Sequence, residues 1–488
     1  MTLFFKKGNN TISMGKTKKN IIYQMGYQIL AVILPLITTP IVTRGLGADA
    51  LGQYSYTYAI VSYFSVFAML GVNSYGTREI AKARSSGNQS AVDVAFSEIY
   101  SLQIVLSLIA IGLYFFFVIF TGSRYKLIAL IQGIYLFGTL TDVAWFYFGI
   151  EDFKTTVTRN IIVKLVSASV IIAFVRSPSD LLLYTITLIG STTVSNIILV
   201  FKLQKYISFH TPTIKRVLYH LKPNLILFVP VVAASFYVYI DKIMLGSISG
   251  TVQSGYYDVM EKIINVPNAC VAAITNVMFP RIASLVSENS RNNGKQISQY
   301  ITASICGVVF FTVGCFLGLK AVAFLFVPLF LGDEFSKAVD IIILGAAILI
   351  PRGVRGVIKS ECLLPYEKDK EVIISIVSGA VCDFIVNLAL IPKYGAVGAV
   401  VATLVCESVS CLMMLFYARK QFDTLKHTLI SLPFILFAVV MYSVITLLIK
   451  ILAKDGWMGL GVYVVAGGLI YCTLSAGYML LIKKKGII

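Results

Sequence analysis

Charged residues lie inside strongly apolar stretches of this chain. Lys164 lies eight residues into an apolar run that begins near Thr156, and Asp142 lies seven residues before Gly149. A helical rise of 1.5 Å per residue puts these groups about 12 Å and about 10 Å from the run ends. A lone charge at a helix centre costs about 2.5 to 3.5 kcal/mol on membrane-insertion scales, so each needs a partner, a wet cavity or a ligand. We expect Lys164 and Asp142 to be neighbours, either as a structural ion pair or as part of a binding site.

Carboxylates also occur within apolar runs of the second half. Asp383 and Asn387 are four residues apart and share a helix face, and Glu407 falls near the centre of the next apolar run. Intramembrane acids of this kind bind a proton or Na⁺, or they make structural hydrogen bonds. Two adjacent pairs of opposite charge near the ends of earlier runs indicate either a gate or neutralised interfacial pairs: Asp241 with Lys242, and Glu261 with Lys262.

The elements that must position these charges are membrane-spanning helices. Of the 488 residues 57% are hydrophobic and 13% are charged, and the mean hydropathy is +0.84. Soluble domains carry about 25% charged residues, so water cannot solvate this chain. One span needs about 20 apolar residues, which leaves room for about fourteen spans. The sequence therefore predicts an all-α integral membrane protein.

Several functional classes are excluded by the same sequence. The net charge of +18 comes from short Lys and Arg clusters between apolar runs, and not from a continuous basic face, so we predict no nucleic-acid binding. The eight cysteines, Cys270 to Cys472, lack CxxC spacing and neighbouring histidines, so we predict buried core positions and no metal site. No GxxxxGK[ST] loop and no connection much longer than about 25 residues occurs, so we predict neither ATP hydrolysis nor an enzyme.

Apolar runs separated by charges, Gly or Pro predict fourteen helices. The first seven cover 20–43, 54–77, 99–121, 127–149, 157–175, 181–201 and 223–247. The other seven cover 256–279, 299–319, 338–358, 371–391, 396–418, 428–449 and 458–482. The apolar stretch 320–332 is too short to span and is predicted to extend a helix or to re-enter the membrane.

A weak internal repeat suggests two related lobes. Leu46-Gly47 with Gly52 and Tyr54 resembles Leu245-Gly246 with Gly255 and Tyr256, although coincidence of common small residues is the alternative. The predicted organisation is a cytoplasmic tail, an N-lobe of six helices, a cytoplasmic linker, a C-lobe of six helices, and two further helices with a cytoplasmic tail: 1–19, 20–201, 202–222, 223–420 and 421–488.

Lys and Arg distribution predicts the orientation. With the N-terminus inside, the tails and even-numbered loops hold about 29 Lys and Arg residues and the opposite side holds about 9. Both termini are therefore predicted to be cytoplasmic.

Four stretches resemble the Wzx-type flippases of polysaccharide repeat units, a family of the multidrug/oligosaccharidyl-lipid/polysaccharide exporter (MOP) superfamily. They are TRGLGADALGQYSYTYAIVSYF (43–64) with LGVNSYGTREIAK (70–82), DVAWFYFGIEDF (142–153), YIDKIMLG (239–246) with GYYDVMEKI (255–263), and NLALIPKYGAVGAVVATLVCE (387–407). The resemblance is collinear along most of the chain, and the last two helices carry no motif.

The resemblance implies a V-shaped pair of six-helix lobes in the cell membrane. It also implies export of undecaprenyl-diphosphate-linked oligosaccharide from the inner to the outer leaflet by alternating access, for synthesis of a surface polysaccharide such as capsule or O-antigen. Implied partners are the lipid-linked oligosaccharide, membrane lipid, and a polysaccharide polymerase with its chain-length machinery. No cofactor is implied beyond coupling to H⁺ or Na⁺.

A diphosphate needs cations in a cavity of low dielectric constant. We therefore expect Lys164, Arg159 and Arg44 to bind it, with Asp142 setting the charge balance, whereas Arg44 among lipid headgroups is the alternative.

Amide and tyrosine side chains suit the sugar. Asn20, Gln24 and Gln28 recur at i, i+4 and i+8 on one helix face, where they hydrogen-bond sugar hydroxyls or join helices within lipid. Tyr63 stacks on a sugar ring or lies at the membrane interface.

Rival functions remain within the same architecture. A cation-coupled multidrug antiporter requires an acidic or aromatic cavity, which the basic and amide residues disfavour. Flippases for peptidoglycan or teichoic-acid lipid intermediates share the diphosphate, and the sequence does not separate them firmly.

Overall fold

The computed structural model describes residues 10–121, 124–288, 293–419, 422 and 424–484, without the side chains of 10–22, 24, 25, 229, 230, 233, 234, 236, 237 and 424–428. The secondary structure of this part is entirely helical. Its first nine helices are α1 (Asn10–Met69), α2 (Val72–Ser85), α3 (Gln89–Phe120), α4 (Lys126–Gln132), α5 (Ile134–Leu140), α6 (Ala144–Gly149), α7 (Phe153–Phe174), α8 (Leu181–Leu203) and α9 (Ile214–Tyr219). The other eight are α10 (Leu221–Ile248), α11 (Thr251–Ser287), α12 (Asn293–Leu331), α13 (Val339–Val357), α14 (Asp369–Tyr394), α15 (Ala396–Ala418), α16 (Thr424–Leu452) and α17 (Gly456–Lys484).

Twelve helical segments of the described chain are long and apolar enough to cross a membrane. The first of them, Gly26–Ser85, contains parts of two predicted helices, and α10 covers a further predicted helix at 223–247. A helix satisfies its own backbone hydrogen bonds, which is what a segment surrounded by lipid requires. The prediction of an all-α multi-pass membrane protein is confirmed.

The break between the first two predicted helices lies at Gly47. Its φ of 75° and ψ of 178° interrupt α1, and side chains other than glycine rarely adopt a positive φ. A Cβ at Gly47 would lie 2.7 Å from the carboxylate of Glu334. That carboxylate accepts a hydrogen bond of 2.9 Å from the backbone nitrogen of Ala48, so Glu334 caps the second half of α1.

Two predicted helices are interrupted where hydropathy shows no break. The predicted helix 54–77 is broken at Leu70, which has a φ of 49°, and α2 begins two residues later. The predicted helix 127–149 consists of α4, α5 and α6, because the chain turns at Gly133 and again at Thr141 to Val143. The predicted extension at 320–332 is confirmed, since α12 continues to Leu331.

The chain divides into two compact units, and each unit consists of two separate segments of the chain. Unit 1 comprises Met1–Thr38 and Thr57–Ser235, and unit 2 comprises Thr39–Tyr56 and Phe236–Ile488. The middle of α1 therefore belongs to unit 2. The lobe and linker boundaries given from sequence stay a prediction.

Unit 1 has an aromatic core around Trp145. The rings of Trp145 and Phe96 stack with centroids 5.3 Å apart, and Trp145 donates a hydrogen bond of 2.9 Å to Gln103 of α3. The ring carbons of Trp145 would lie 2.4 Å from a Cβ at Gly76 of α2. This close packing holds α2, α3 and α6 together beside the start of α7.

Unit 2 contains a larger aliphatic core. Its buried residues come from α11 to α17, and they include Val308, Val357 and Met414. In α17, Tyr471 stacks on Phe310 of α12 with ring centroids 4.9 Å apart and donates a hydrogen bond of 2.7 Å to its carbonyl oxygen. The two C-terminal helices are thus packed into unit 2.

Candidate functional site

A buried cluster of acids lies in unit 2 where α10, α11, α14 and α15 meet. Asp241 of α10 is 1% exposed. Its carboxylate accepts hydrogen bonds from Asn387 Nδ2 at 2.6 Å and Thr403 Oγ1 at 3.0 Å, and another from the hydroxyl of Tyr257. We call these residues, together with Asp383, the Asp241 cluster.

The second carboxylate of the Asp241 cluster is Asp383, which is also 1% exposed. It lies against Asp241, and Asn387 Nδ2 is 3.1 Å from its Oδ2. Asp383 Oδ1 and Asn387 Oδ1 have no hydrogen-bond partner in the described part of the chain. No Lys or Arg of the described chain forms an ion pair with either acid, so two buried carboxylates lack a compensating positive charge.

Oxygen ligands in such an arrangement fit a proton or a small hard cation. Asp241, Asp383, Asn387 and Thr403 supply carboxylate, amide and hydroxyl oxygens from three helices. A bound cation or proton would remove the repulsion between the two carboxylates. Asp241, Asp383 and Asn387 were predicted from the sequence. Thr403 and Tyr257 were not, because hydroxyl residues are common in membrane helices and nothing in their spacing marks them.

Glu407 is not part of this uncompensated cluster. It is 1% exposed, and its carboxylate pairs with Arg352 Nε at 2.6 Å and Arg355 Nε at 2.7 Å. Both arginines lie on α13, within the helix that the sequence predicts at 338–358. The negative charge of Glu407 is therefore compensated by two arginines.

The two predicted pairs of adjacent opposite charge are arranged differently in the structure. Asp241 belongs to its cluster, while Lys242 Nζ lies 2.7 Å from Asp258 and 2.9 Å from Glu261. Lys262 Nζ is 2.8 Å from Asp258. The two contacts of Lys242 join α10 to α11, whereas the Lys262 contact lies within α11. Asp258, which accepts from both lysines, was not among the residues predicted from the sequence.

Arg159 is the most buried of the predicted substrate-binding cations, with 8% of its surface exposed. Its guanidinium donates to the carbonyl oxygen of Ser195 at 2.6 Å and to Asn160 Oδ1 at 2.7 Å. Asp142 interacts with this guanidinium electrostatically, and its Oδ1 accepts from the backbone nitrogen of Ala144 at 3.1 Å. The Asp142 carboxylate thus lies near the Arg159 guanidinium and accepts a hydrogen bond from Ala144, the first residue of α6.

Lys164 has a different neighbour from the one expected. Its Nζ lies 5.1 Å from the ring centroid of Tyr27, a cation-π distance. In the described chain no ion pair joins Lys164 to Asp142. The physical reason lies in the broken predicted helix, because the turn at Asp142 directs its carboxylate to a backbone nitrogen.

A groove between α7 and α8 places Arg159 among other cations. It has a volume of about 340 Å³ and is lined by Lys154, Thr155, Thr158, Arg159, Ile162, Val163, Ile198 and Lys202. We call it the Arg159 groove. Lys154 and Lys202 are exposed and have no ion-pair partner among the described residues. Eight residues along α7, about 12 Å, separate the basic end at Lys154 from the aliphatic end at Ile162.

Of the other residues that the sequence predicted to contact substrate, those that the structure describes do not line the Arg159 groove. Arg44 belongs to unit 2 and donates to the carbonyl oxygen of Leu329. Gln28 is exposed on α1, and Tyr63 is half-buried. The side chains of Asn20 and Gln24 lie outside the described residues.

Comparison with known proteins identifies the class. Residues 17–286 match the family model described as polysaccharide biosynthesis protein. Two curated relatives, both named "Putative O-antigen transporter", come from Shigella dysenteriae and Escherichia coli (strain K12). The first is 25% identical over 82% of this chain and 99% of its own length. The second is 24% identical over 83% and 97%.

Solved structures agree on the fold. The lipid II flippase MurJ in an inward closed conformation aligns with a TM-score of 0.75 at 17% identity, over 95% of this chain and all of that one. An inward-facing MATE transporter of the MOP superfamily aligns with a TM-score of 0.56 at 14% identity, over 83% of this chain and 99% of that one. At these identities the likeness concerns the fold alone.

The chain belongs to the polysaccharide biosynthesis protein family. The resemblance to Wzx-type flippases of the MOP superfamily is thereby confirmed.

Proposed function

We propose that this protein moves undecaprenyl-diphosphate-linked oligosaccharide repeat units from the inner to the outer leaflet of the cell membrane, by alternating access, for surface polysaccharide synthesis. Both termini are cytoplasmic in this proposal. The polymerase and chain-length machinery of the pathway are its expected partners. The protein catalyses no covalent reaction on the lipid.

The Arg159 groove is the observation that carries the proposal. The three cations that line the groove, Lys154, Arg159 and Lys202, suit a diphosphate, whose oxygens accept charge-assisted hydrogen bonds. The hydroxyls of Thr155 and Thr158 add neutral donors. Ile162, Val163 and Ile198 continue the same groove as an aliphatic surface, which suits the first isoprene units of a prenyl chain.

The Asp241 cluster supplies the proposed driving force. A pair of adjacent buried carboxylates is stable only while a proton or a cation such as Na⁺ reduces its charge. Binding and release of that ion would therefore change the stability of this part of unit 2. Coupling of ion release to substrate export follows if the two events favour the same conformation.

The groove also bears on the rival functions. A cationic drug would be repelled by Lys154, Arg159 and Lys202, so a multidrug antiporter fits less well. Peptidoglycan and teichoic-acid lipid intermediates carry the same phosphate chemistry and remain alternatives. The sugar portion decides between these substrates.

A transport assay on the full chain tests the proposal. Purified protein in liposomes should expose a fluorescent undecaprenyl-diphosphate oligosaccharide to a membrane-impermeant reagent faster than protein-free liposomes do. Lys202→Gln should slow this transport about tenfold, because it removes one charged contact to the diphosphate. Lys205→Gln is the matched control, since it removes an exposed lysine three residues away that does not line the groove.

Equal transport rates for Lys202→Gln and Lys205→Gln would show that the Arg159 groove does not bind the diphosphate during transport. Transport of a cationic dye in place of the lipid would overturn the proposed function.

A further inference from the structure

Unit 1 contains a second and larger cavity beside the Arg159 groove. Its volume is about 560 Å³, within the usual range for small-molecule sites. It is lined by Tyr23, Arg84, Gln89, Val92, Phe146, Ile150, Glu151, Asp152, Lys154 and Tyr206. These residues come from α1, the end of α2, the start of α3, α6, the connection before α7, the start of α7 and the segment after α8. We call it the Tyr206 cavity.

The lining of the Tyr206 cavity combines aromatic rings with balanced polar groups. Arg84 and Lys154 carry positive charge, while Glu151 and Asp152 carry negative charge. The formal charges of these four groups sum to zero. Rings of Tyr23 and Tyr206 offer apolar faces, and the surrounding side chains both donate and accept hydrogen bonds. An uncharged molecule with many hydroxyls and an apolar face matches this surface.

Tyr206 is held in place at the rim. Its hydroxyl donates to Asp152 Oδ2 at 3.3 Å, and its ring meets that of Tyr147 edge-on, with centroids 5.8 Å apart. Gln89 donates to the Tyr206 carbonyl oxygen at 2.8 Å. Burial and the carboxylate of Asp152 raise the pKa of Tyr206 above its usual value. The residue is 40% exposed.

Lys154 lines both the Tyr206 cavity and the Arg159 groove. The two spaces therefore adjoin at a cation. A path along them passes from a neutral polar cavity, through three cations, to an aliphatic surface about 12 Å along α7 from Lys154. A lipid-linked sugar has the same order of parts: sugar, diphosphate and prenyl chain.

We infer that the Tyr206 cavity binds the sugar attached directly to the diphosphate, while the phosphates lie against Lys154, Arg159 and Lys202. This inference rests on the proposed function. It assigns the first sugar of the substrate to unit 1 alone, and it makes this cavity the part of the protein that selects among lipid diphosphates by their first sugar.

Binding of two matched probes to the full-length protein in nanodiscs tests the inference. One probe is farnesyl diphosphate esterified to N-acetylglucosamine, and the other is the methyl ester of farnesyl diphosphate, which has the same charge but no sugar. Wild type should bind the sugar probe about tenfold more tightly than the methyl probe. Tyr206→Ala and Tyr23→Ala should each reduce this ratio to about one while leaving the affinity for the methyl probe within about twofold.

Tyr219→Ala is the matched control, because it removes an exposed tyrosine of unit 1 that lies outside the cavity lining. It should preserve the tenfold ratio. Thermal unfolding of each variant shows whether the fold is intact, and two separate tyrosine changes guard against the misfolding of either one.

The outcomes separate the inference from the function on which it rests. If wild type binds both probes equally, or if both tyrosine variants keep the tenfold ratio, the Tyr206 cavity is not the sugar site although the diphosphate site stands. If neither probe binds, the diphosphate site fails and the inference fails with it.

Discussion

Gly52 of α1 and Gly255 of α11 lie where the backbones of these two helices are in contact, so neither position has room for a Cβ. A Cβ at Gly52 would lie 1.7 Å from the carbonyl oxygen of Thr251, and a Cβ at Gly255 would lie 2.1 Å from that of Ala48. Thr251 precedes Gly255 by four residues, and Ala48 precedes Gly52 by four, so the contact is reciprocal. The same two glycines belong to the weak internal repeat in the sequence. Their packing lets two helix backbones approach as small residues allow in membrane proteins.

Alanine at either glycine should disrupt this helix crossing. Because the obstructing atoms are backbone atoms, Gly52→Ala and Gly255→Ala should each destabilise unit 2 by about 3 kcal/mol or more. Thermal unfolding of the detergent-purified protein measures the effect. Gly307→Ala is the control, since a Cβ at that position of α12 would have no heavy atom within 4 Å apart from the adjacent backbone of its own helix. A Gly255→Ala protein as stable as the control would show that the crossing relaxes easily.

Glu407 should contribute strongly to stability because it is a buried carboxylate that pairs with two arginines. Arg352 and Arg355 are about one-fifth exposed, whereas Glu407 is 1% exposed. Glu407→Gln removes the negative charge from a largely buried site and should cost about 3 to 5 kcal/mol of unfolding free energy. The partly exposed pair of Lys368 and Glu371 gives the comparison, and Glu371→Gln should cost at most about 1 kcal/mol. Equal losses in the two variants would contradict the buried-pair interpretation.

The Asp241 cluster should bind a cation in the absence of any lipid substrate. At a free Na⁺ concentration of about 100 times its Kd, binding would add about 2.7 kcal/mol to the stability of wild type. Replacement of choline chloride by NaCl at constant ionic strength should therefore raise the Tm. Asp383→Asn should abolish this increase, and Asp340→Asn, at an exposed acid of α13, should preserve it.

A proton in place of Na⁺ would give a different result in the same experiment. The Tm of wild type would then be independent of NaCl. It would fall as pH rises, because Asp241 and Asp383 would lose the proton that they share in the folded state. Asp383→Asn would remove that pH dependence. A wild-type Tm that responds to neither Na⁺ nor pH would exclude an ion site at this cluster.

Hydropathy was enough to predict the membrane spans, but not their interruptions or the partners of the charges. Apolar runs continue through Leu70 and Gly133, where backbone geometry ends a helix without any change in polarity. Glu407 pairs with Arg352, which lies 55 residues away in the chain. Such pairing depends on which helix faces meet in three dimensions. The acids Asp241 and Asp383 were recognisable because a charge inside an apolar run is itself unusual, whereas their hydroxyl ligands were not.

Lys164 should act independently of Asp142. The two residues form no ion pair in the described chain, and the Lys164 ammonium lies over the ring of Tyr27. Lys164→Met should therefore destabilise by no more than about 2 kcal/mol, the size of a strong cation-π contact. A structural ion pair would instead leave a buried carboxylate uncompensated and cost about 3 to 5 kcal/mol.

A double-mutant cycle distinguishes the two arrangements of Lys164. Unfolding free energies of Lys164→Met, Asp142→Asn and the double variant should add within about 0.5 kcal/mol. Lys164→Met and Tyr27→Leu, in contrast, should show a coupling energy of about 0.5 to 1 kcal/mol. If Lys164 binds the diphosphate, Lys164→Met should slow transport in liposomes even when its stability is near that of wild type, and Asp142→Asn should not restore the rate. Recovery of transport in the Lys164→Met, Asp142→Asn double variant would show that Lys164 only balances Asp142.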